Sequence, residues 1–387
     1  MMNHRHPLLY RCFLISLIAG LTSALFFSSS ATGQSVTSEK QEFVVETVAS
    51  GLSIPWGMAA LPNGSMLITE RTGTLRILDA DGKLNPDPVK NIPAVADGGQ
   101  GGLLDVAIHP DFQNNGWIYL SYSSPKAAGE PGRGANTALI RGKIINHEFT
   151  EQELIFKALP NYSGGRHFGS RIAFDADNHV YLSVGDRGNR DEVQTLENPL
   201  GKIFRLHDDG RIPANNPFVN TLNAEPEIWS WGHRNPQGME THPETGALWA
   251  HEHGPKGGDE LNRIIQGQNY GWPAVTYGVN YSGSKITDEV SRPGIVSPVT
   301  YWVPSIAPCG MAFITGDKYP GWKNNLLVGS LKFQQLQRLE IKDDKVIHKE
   351  ILLDGIGRVR AIEQGIDGFI YVAIESGGRI VRLRPSS

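Results

Sequence analysis

Residues 169–186, GSRIAFDADNHVYLSVGD, contain two short apolar runs on either side of the turn residues 175–179. Apolar positions in these runs alternate with a period of two, which is typical of β-strands with unlike faces. Asp and Asn in the turn favour a reversal of the chain. The segment therefore predicts an antiparallel β-hairpin.

The same pattern occurs six times, and successive copies begin 45 to 72 residues apart. A four-stranded antiparallel propeller blade takes about 40–50 residues, so the longer spacings indicate inserted loops. We therefore predict an all-β fold, a six-bladed β-propeller of four-stranded antiparallel blades. A β-sandwich competes, but it gives no reason for six equivalent hairpins. The copies start at Gly57, Gly102, Gly169, Gly238, Gly310 and Val359.

One further strand is predicted before the first copy, at residues 43–48 (FVVETV). In a closed ring this strand would complete the blade that contains residues 379–383. No stretch sustains a 3.6-residue apolar period over several turns, so we expect little helix.

The N-terminus has the order of a secretory signal. Arg5 and Arg11 precede an apolar run, residues 12–27, which is followed by small residues up to Gly33. We expect residues 1–33 to be a cleaved signal and residues 34–387 to form one propeller domain. The protein would then be periplasmic or secreted, without stable membrane insertion; an uncleaved membrane anchor is the alternative.

Composition excludes several kinds of function. The net charge is −4 and no Lys/Arg block is present, so nucleic-acid binding is not expected. After removal of the signal, Cys309 is the one remaining cysteine, which excludes an internal disulfide and a cysteine-based metal site. We expect Cys309 to be a buried, small apolar side chain.

Candidate reactive residues are spread over several copies, as expected where loops converge at the mouth of a propeller. His167 lies in the glycine-rich stretch GGRHFGSR, and histidine is the usual proton acceptor near neutral pH. Arg234 and Asn235 offer a cation beside an amide, and Gln100 lies on the loop DGGQGGLL. Each could instead hold a turn through bonds to backbone carbonyls.

Three cations lie in the last two copies. Arg358 and Arg360 share one side of an extended chain, where like charges repel unless an anion lies between them. Because guanidinium groups bind carboxylates, we expect a carboxylate-bearing ligand there, with ordinary salt bridges as the alternative. Lys332 follows a strand of the fifth copy.

Metal ligands are suggested around HEHGPKGGDE, residues 251–260. His251 and His253 share a strand face, but a third zinc or copper ligand is lacking nearby. The carbonyls of Gly254 and Pro255, with carboxylates at 259 and 260 close behind, suit Ca²⁺ better.

Taken as an ordered set, six motifs of this chain resemble the soluble quinoprotein glucose/aldose sugar dehydrogenases, which are propellers that use pyrroloquinoline quinone (PQQ) and calcium. The likeness runs from about Gly51 to Leu383 and is greatest to the shorter bacterial aldose sugar dehydrogenases. The motifs are GGQGGLL, RHFGSRIAF, WGHRNPQGM, EHGPKGGDEL, NYGWP and SLK.

The resemblance implies PQQ- and Ca²⁺-dependent oxidation of aldose sugars at C1, with His167 as the general base. It places Arg234 and Asn235 at the quinone oxygen, where negative charge develops, and Gln100 at the same edge. The Ca²⁺ of the cofactor would be held by the carbonyls of Gly254 and Pro255.

The resemblance also implies roles for more distant residues. Lys332, Arg358 and Arg360 match cations that pair with the carboxylates of PQQ. Trp302 matches an aromatic residue that lines the cofactor cleft. Glu260 and Tyr270 match ligands of a further, structural calcium. The partners would be aldose substrates and an unidentified electron acceptor, with the protein a monomer or a homodimer.

One position departs from the pattern. The glucose-preferring members carry a carboxylate before the catalytic histidine, and here the residue is Arg166, so what orients His167 is open. Shorter loops lead us to expect broad use of aldoses. Two other functions remain as alternatives: a metal-dependent propeller hydrolase such as a lactonase, and a propeller that binds sugars or proteins without catalysis.

Overall fold

The computed structural model describes residues 33–386, and nearly all regular structure in this range is β-strand. Its helical segments are α1 (Phe112–Asn115) and two 3₁₀ turns, Arg190–Glu192 and Pro320–Trp322, which confirms the expectation of little helix. Within this range, no helix has the length and apolar character needed to cross a membrane. The proposed signal segment lies outside the described residues, apart from Gly33.

Twenty-four strands are present in the described part of the chain. The first thirteen are β1 (Gln34–Thr37), β2 (Glu42–Ala49), β3 (Pro55–Ala60), β4 (Met66–Glu70), β5 (Thr74–Leu78), β6 (Leu103–Ile108), β7 (Ile118–Pro125), β8 (Ala135–Ile145), β9 (Glu148–Lys157), β10 (Ile172–Phe174), β11 (Val180–Val184), β12 (Lys202–Leu206) and β13 (Ile228–Trp231). The others are β14 (Pro236–Thr241), β15 (Leu248–Glu252), β16 (Asp259–Ile264), β17 (Thr300–Trp302), β18 (Pro308–Phe313), β19 (Leu326–Ser330), β20 (Leu336–Lys342), β21 (Lys345–Leu353), β22 (Val359–Gln364), β23 (Ile370–Ile374) and β24 (Arg379–Pro385).

These strands form six antiparallel sheets, which are the blades of a six-bladed β-propeller. Blade 1 is β3–β5, and blades 2 to 5 are β6–β9, β10–β13, β14–β17 and β18–β21. Blade 6 contains β22–β24 together with β2 and β1. The predicted fold is therefore confirmed, and each of the six sequence copies is the inner hairpin of one blade. Four blades have four strands; blade 1 has three, with a bridge from Leu75 to Val89 at its outer edge.

The ring closes through the N-terminal strand, as the sequence indicates. β2 pairs antiparallel with β24, for example Val45 with Leu383, so blade 6 combines both ends of the described chain. Phe43 of β2 packs edge-on against Trp322 of blade 5, with ring centroids 5.4 Å apart. The closing strand is thereby held by a sheet ladder and by an aromatic contact with the neighbouring blade.

The core is divided among the six blade interfaces. Each main hydrophobic cluster joins two successive blades, as where Met58 and Ile68 of blade 1 meet Ile380 of blade 6. Because both faces of every blade are covered, apolar and polar residues alternate less regularly along these strands than in a sheet that has one face in water. The inner strands β3, β6, β10, β14, β18 and β22 contact one another in sequence around a central channel.

Candidate active site

The inner strands all begin at the same end of the ring, where loops from every blade border a cavity of about 360 Å³. Of the residues predicted for the site, Gln100, Asn235, Arg358 and Arg360 line this cavity directly. It also contains residues that were not predicted, among them Trp56, Gln237 and Glu375. The cavity has the size of a small-molecule site.

His167 lies at the edge of this cavity and is held by a carboxylate. Its Nδ1 lies 2.6 Å from Oδ1 of Asp186, and its backbone N–H donates to Oε1 of Gln100 at 2.7 Å. Asp186 in turn accepts hydrogen bonds from Trp272 Nε1 at 2.8 Å and from the backbone N–H of Gly188 at 2.7 Å. Asp186 therefore fixes the imidazole, and it answers the question raised by Arg166, because the orienting acid is supplied from the end of β11.

The charges around His167 favour a neutral imidazole. Burial lowers the pKa of His167, and Arg234 and Arg166 lower it further against the opposing effect of Asp186. Burial raises the pKa of Asp186, but the hydrogen bond and charge of His167, the Gly188 N–H and the charge of Arg234 together outweigh burial and keep this pKa below its ordinary value. Since an ionised Asp186 only accepts hydrogen bonds, Nδ1 carries the proton and Nε2 keeps a free lone pair.

Asn235 is buried at the start of blade 4 and touches the same loop. Its Oδ1 accepts a hydrogen bond from the backbone N–H of Gly169 at 3.1 Å. Gln100 sits on the facing glycine loop, where its backbone N–H bonds to Gly165 at 2.7 Å. Asn235 and Gln100 thus belong to the cavity and also fix the segment that carries His167.

Arg234 lies beside the cavity rather than in its lining. Its backbone N–H donates to Oε2 of Glu252 at 2.5 Å, and its Nη1 donates to the carbonyl of His253 at 3.0 Å. Its guanidinium carbon lies 5.3 Å from the centre of the Trp272 ring. Nε of Arg234 is buried and has no hydrogen-bond partner among residues 33–386, so one donor is left for a bound group.

The interpretation of Arg358 and Arg360 needs a correction. The two guanidiniums do face one side of the cavity, but the anion between them is Glu375 of the protein. Arg358 Nε donates to Glu375 Oε1 at 3.1 Å, and Arg360 Nε donates to Oε2 at 2.9 Å. Repulsion between the arginines therefore gives no evidence for a ligand. Two cations against one carboxylate still leave the cavity wall with excess positive charge.

Lys332 and Trp302 lie outside the cavity lining. Lys332 is exposed and follows Leu331, which does line the cavity, and its ammonium lies 5.3 Å from the centre of the Phe333 ring. Trp302 is buried in the hydrophobic core between blades 4 and 5, with Nε1 bonded to Gln337 at 3.3 Å. Trp302 is on β17, the outer strand of blade 4, and does not belong to the lining of the cavity, so its expected place in the cofactor cleft stays a prediction.

Asp259 is not available as a metal ligand, contrary to the expectation from its position. Its Oδ1 accepts the backbone N–H of Gly254 at 2.8 Å, and its Oδ2 accepts the N–H groups of Ile306 and Ala307 at 2.7 and 2.8 Å. Ser305 Oγ bonds to the same carboxylate. Asp259 therefore ties two loops together at the wall of the cavity.

The loop that Asp259 holds presents backbone oxygens. Among residues 33–386, the carbonyls of Gly254 and Pro255 accept no backbone hydrogen bond. A Cβ on Gly254 would lie 2.2 Å from the carbonyl oxygen of Gly258, so the tight loop excludes any side chain here. Two free, rigidly placed carbonyl oxygens are ligands that fit a hard cation such as Ca²⁺.

A second group of oxygen atoms surrounds a small cavity of about 10 Å³ next to this loop, near the least volume that holds one water. Glu252 and Glu260 face each other across β15 and β16, and both line it together with Tyr270. Burial, followed by the charge of Glu252, raises the pKa of Glu260 well above its ordinary value. Two neighbouring carboxylates, Glu252 buried and Glu260 partly buried, are a fit for a cation, which would relieve their repulsion.

His251, His253 and Cys309 have structural surroundings. Nε2 of His251 lies 3.2 Å from the carbonyl of Gly310, and Nε2 of His253 lies 2.9 Å from that of Pro308, so both join blade 4 to blade 5. Cys309 is buried, as expected.

The fold and site define a six-bladed propeller with a carboxylate-oriented histidine at the edge of a cation-lined cavity. The glucose/sorbosone dehydrogenase family matches residues 52–382. The aldose sugar dehydrogenase YliI of Escherichia coli is 42% identical over 348 residues, which cover 88% of this chain and 92% of that protein.

Solved structures agree with this. The soluble aldose sugar dehydrogenase of Escherichia coli in its apo form has a TM-score of 0.83 and 39% identity, covering 89% of this chain and all of that one. The PQQ-bound aldose sugar dehydrogenase of Streptomyces coelicolor has a TM-score of 0.72 and 27% identity, covering 89% and 98%. The chain belongs to the glucose/sorbosone dehydrogenase family.

Proposed function

We propose that this protein oxidises aldose sugars at C1 to the lactone, with PQQ as the oxidant, Ca²⁺ as a second cofactor and His167 as the general base. The observation that carries the proposal is the His167–Asp186 pair at the edge of a cavity walled by Arg358 and Arg360. A base with a free Nε2 and an anion-binding wall are the two features that this oxidation requires of the protein. The PQQ-bound relative supports the choice of cofactor.

His167 takes the proton in this scheme. Nδ1 is committed to Asp186, so Nε2 is the atom that accepts the proton of the sugar C1 hydroxyl. As this happens, Asp186 stabilises the imidazolium that forms. Burial holds the pKa of His167 below its ordinary value, so the base is in its neutral form at pH 7.

The remaining residues would hold the cofactors. PQQ is a flat tricarboxylate, for which Arg358, Arg360 and Lys332 supply cations. When bound, PQQ with its Ca²⁺ supplies the two-electron acceptor for the hydride from C1. Gly254 and Pro255 would hold that Ca²⁺ through their carbonyl oxygens.

Arg234 and Asn235 would face the reactive edge of the cofactor, with Gln100 on the opposite loop. Developing negative charge at that edge would be stabilised by the guanidinium of Arg234, which has an unused donor at Nε. Glu260 and the carbonyl of Tyr270 would hold a structural Ca²⁺, and Glu252 extends this proposed set. We propose residues 34–387 as the exported catalytic domain.

The test uses purified protein without residues 1–33, with PQQ and CaCl₂ added singly and together. Reduction of an artificial electron-acceptor dye is followed with glucose, galactose, xylose and maltose. Turnover should require both additions and fall by at least about 100-fold in His167→Gln. The matched control is His242→Gln, a histidine just after β14 at the opposite end of the ring, which should keep its activity.

Three results would contradict the proposal in different ways. If PQQ quenches tryptophan fluorescence but no aldose is oxidised, the substrate class is wrong. If PQQ does not bind, the dehydrogenase assignment to this cofactor fails. If sugars bind and His167→Gln changes nothing, a non-catalytic sugar-binding propeller explains the protein better.

A further inference from the structure

A further pocket, of about 550 Å³, is lined by residues 162–166, which lead up to His167, and by residues 187–189, which follow Asp186. Glycine backbone forms much of its wall, at residues 164–165 and at Gly188. Its side chains come from the segments on either side of the base, and they are mainly polar or charged. They belong to Tyr162, Ser163, Arg166, Arg187 and Asn189.

Of the two arginines here, Arg187 is used to build the wall. It is buried, donates Nη2 to the carbonyl of Gly164 at 2.5 Å, and bonds through Nη1 to the carbonyl of Arg166. Its guanidinium carbon lies 3.4 Å from the centre of the Phe168 ring. Arg187 is thus committed to holding the segment that leads into His167.

Arg166 is differently placed. Its side chain is exposed and makes no ion pair or hydrogen bond within the described range of the chain. A Cβ on Gly188 would lie 2.5 Å from Arg166 Nε, so the guanidinium lies against the backbone of Gly188. That same Gly188 N–H bonds to Asp186 Oδ1. The cation is therefore held beside the His167–Asp186 pair.

The carboxylates nearby do not neutralise this cation. Asp186 is directed to His167, Trp272 and the Gly188 N–H. Glu192 is engaged by the hydroxyl of Tyr162 at 3.1 Å. An exposed guanidinium without a partner, at the rim of a pocket that adjoins the base, is a site for an anionic group on the molecule that the base acts on.

We propose that Arg166 makes this enzyme selective for aldoses that carry a carboxylate, the hexuronic acids, over the neutral aldoses of the same C1 chemistry. The inference rests on the proposed function. Arg166 lies against Gly188, whose N–H shares Oδ1 of Asp186 with Nδ1 of His167, so in the proposal one sugar would place C1 at His167 and its carboxylate at Arg166. The redox step is unchanged: the C1–H and O–H bonds break, a C1 carbonyl forms, the proton goes to His167 and the hydride goes to the quinone oxidant.

The experiment compares D-galacturonate with D-galactose, which are identical at C1 and differ in charge at C6. The loaded enzyme, with PQQ and CaCl₂, should show a kcat/KM for galacturonate at least fivefold above that for galactose at low ionic strength. Arg166→Gln should bring this ratio to about one, and Arg166→Lys should restore part of it. Added NaCl should lower the ratio of the wild-type protein, because salt screens exposed charges.

A matched control separates this effect from net charge. Arg211 is an exposed arginine beyond β12, at the opposite end of blade 3, and Arg211→Gln should leave the ratio unchanged. The inference is overturned by a wild-type ratio of one or less, or by an Arg166→Gln ratio equal to that of the wild type. In either case the proposed function still stands if galactose is oxidised. Absence of turnover with either sugar overturns both.

Discussion

Replacing Asp186 with asparagine keeps the size of the side chain and removes the charge that orients the base. Asp186 accepts from His167 and Gly188 at Oδ1 and from Trp272 at Oδ2. An asparagine has one acceptor oxygen. If that oxygen faces His167, the NH₂ group of the asparagine faces the indole N–H of Trp272, and two hydrogen-bond donors then oppose each other. If it is reversed, NH₂ donates to Nδ1, and the imidazole proton must move to Nε2, where the lone pair is needed.

The size of the effect follows from the bond that is lost. A hydrogen bond to a charged group contributes about 1.5–3 kcal/mol. At about 1.36 kcal/mol per tenfold change in rate, its loss from the transition state lowers kcat about 10- to 150-fold. The reversed asparagine also removes the reactive tautomer, so we expect a decrease toward the upper end. Raising the pH should not restore activity, since the defect is in the tautomer and not in protonation.

The assay is kcat for galactose with PQQ, CaCl₂ and an acceptor dye, together with a PQQ-binding titration and a thermal melt. Asp177→Asn, the same substitution on an exposed turn of the same blade, is the control. The prediction is a loss of kcat with PQQ binding retained. A variant that stays folded and keeps kcat within threefold of the wild type would refute the orienting role of Asp186, and with it the assignment of His167 as base.

Arg338 is buried and pairs most closely with the carboxylates of Glu340 and Glu350, both at 2.6 Å, so Arg338→Met should lower the free energy of unfolding by about 3 kcal/mol. Arg384→Met, at an exposed ion pair, should lower it by less than about 1 kcal/mol, and urea unfolding that shows equal losses would contradict this. Glu375→Gln should tighten PQQ binding several-fold in a fluorescence titration, because Glu375 competes for the same arginines; weaker binding would oppose that. Because burial lowers the pKa of His167, kcat/KM should rise with pH and level off near or below pH 6.5, and a profile still rising above pH 7.5 would argue against His167.

The fold could be predicted because its signals are local. Each inner hairpin carries its own alternation and turn residues within about twenty positions, and six copies restrict the choice to a ring. The closing strand β2 was recognisable for the same reason. The sequence did not show that blade 1 has three strands. Its outer edge carries isolated bridges in place of a fourth strand, and the two differ only in a few hydrogen bonds.

The site residues Gln100, Asn235, Arg358 and Arg360 were found because glycine-rich loops and paired cations stand out in the sequence. For Trp302 the motif gives a position along the chain but not the face of the strand on which the side chain lies, so its expected place in the cleft stays a prediction. Asp259 was misinterpreted for a related reason. The sequence around a carboxylate looks the same whether the carboxylate binds a metal ion or accepts hydrogen bonds from backbone N–H groups.

The acids that organise the site were missed, yet they share a signal that follows from hairpin register. In an antiparallel inner hairpin, the end of the second strand lies beside the start of the first strand, so residues that flank these two ends come close together. Asp186 follows β11 and meets His167 ahead of β10, and Glu375 follows β23 and meets Arg358 ahead of β22.

Two further blades repeat this arrangement. Glu252 ends β15 and accepts the N–H of Arg234 before β14, and Glu70 ends β4 and accepts the N–H of Ser53 before β3. Four blades thus place a carboxylate where it holds the loop that enters the inner strand. Each of these loops contains glycine and lies outside the strand ladders, so a carboxylate that accepts a hydrogen bond from it helps to fix its position. In blades 3 and 6 the loop held in this way carries the proposed base His167 or the cation Arg358 of the cavity wall, so under the proposed function the acid that anchors the loop would also orient a residue of the site.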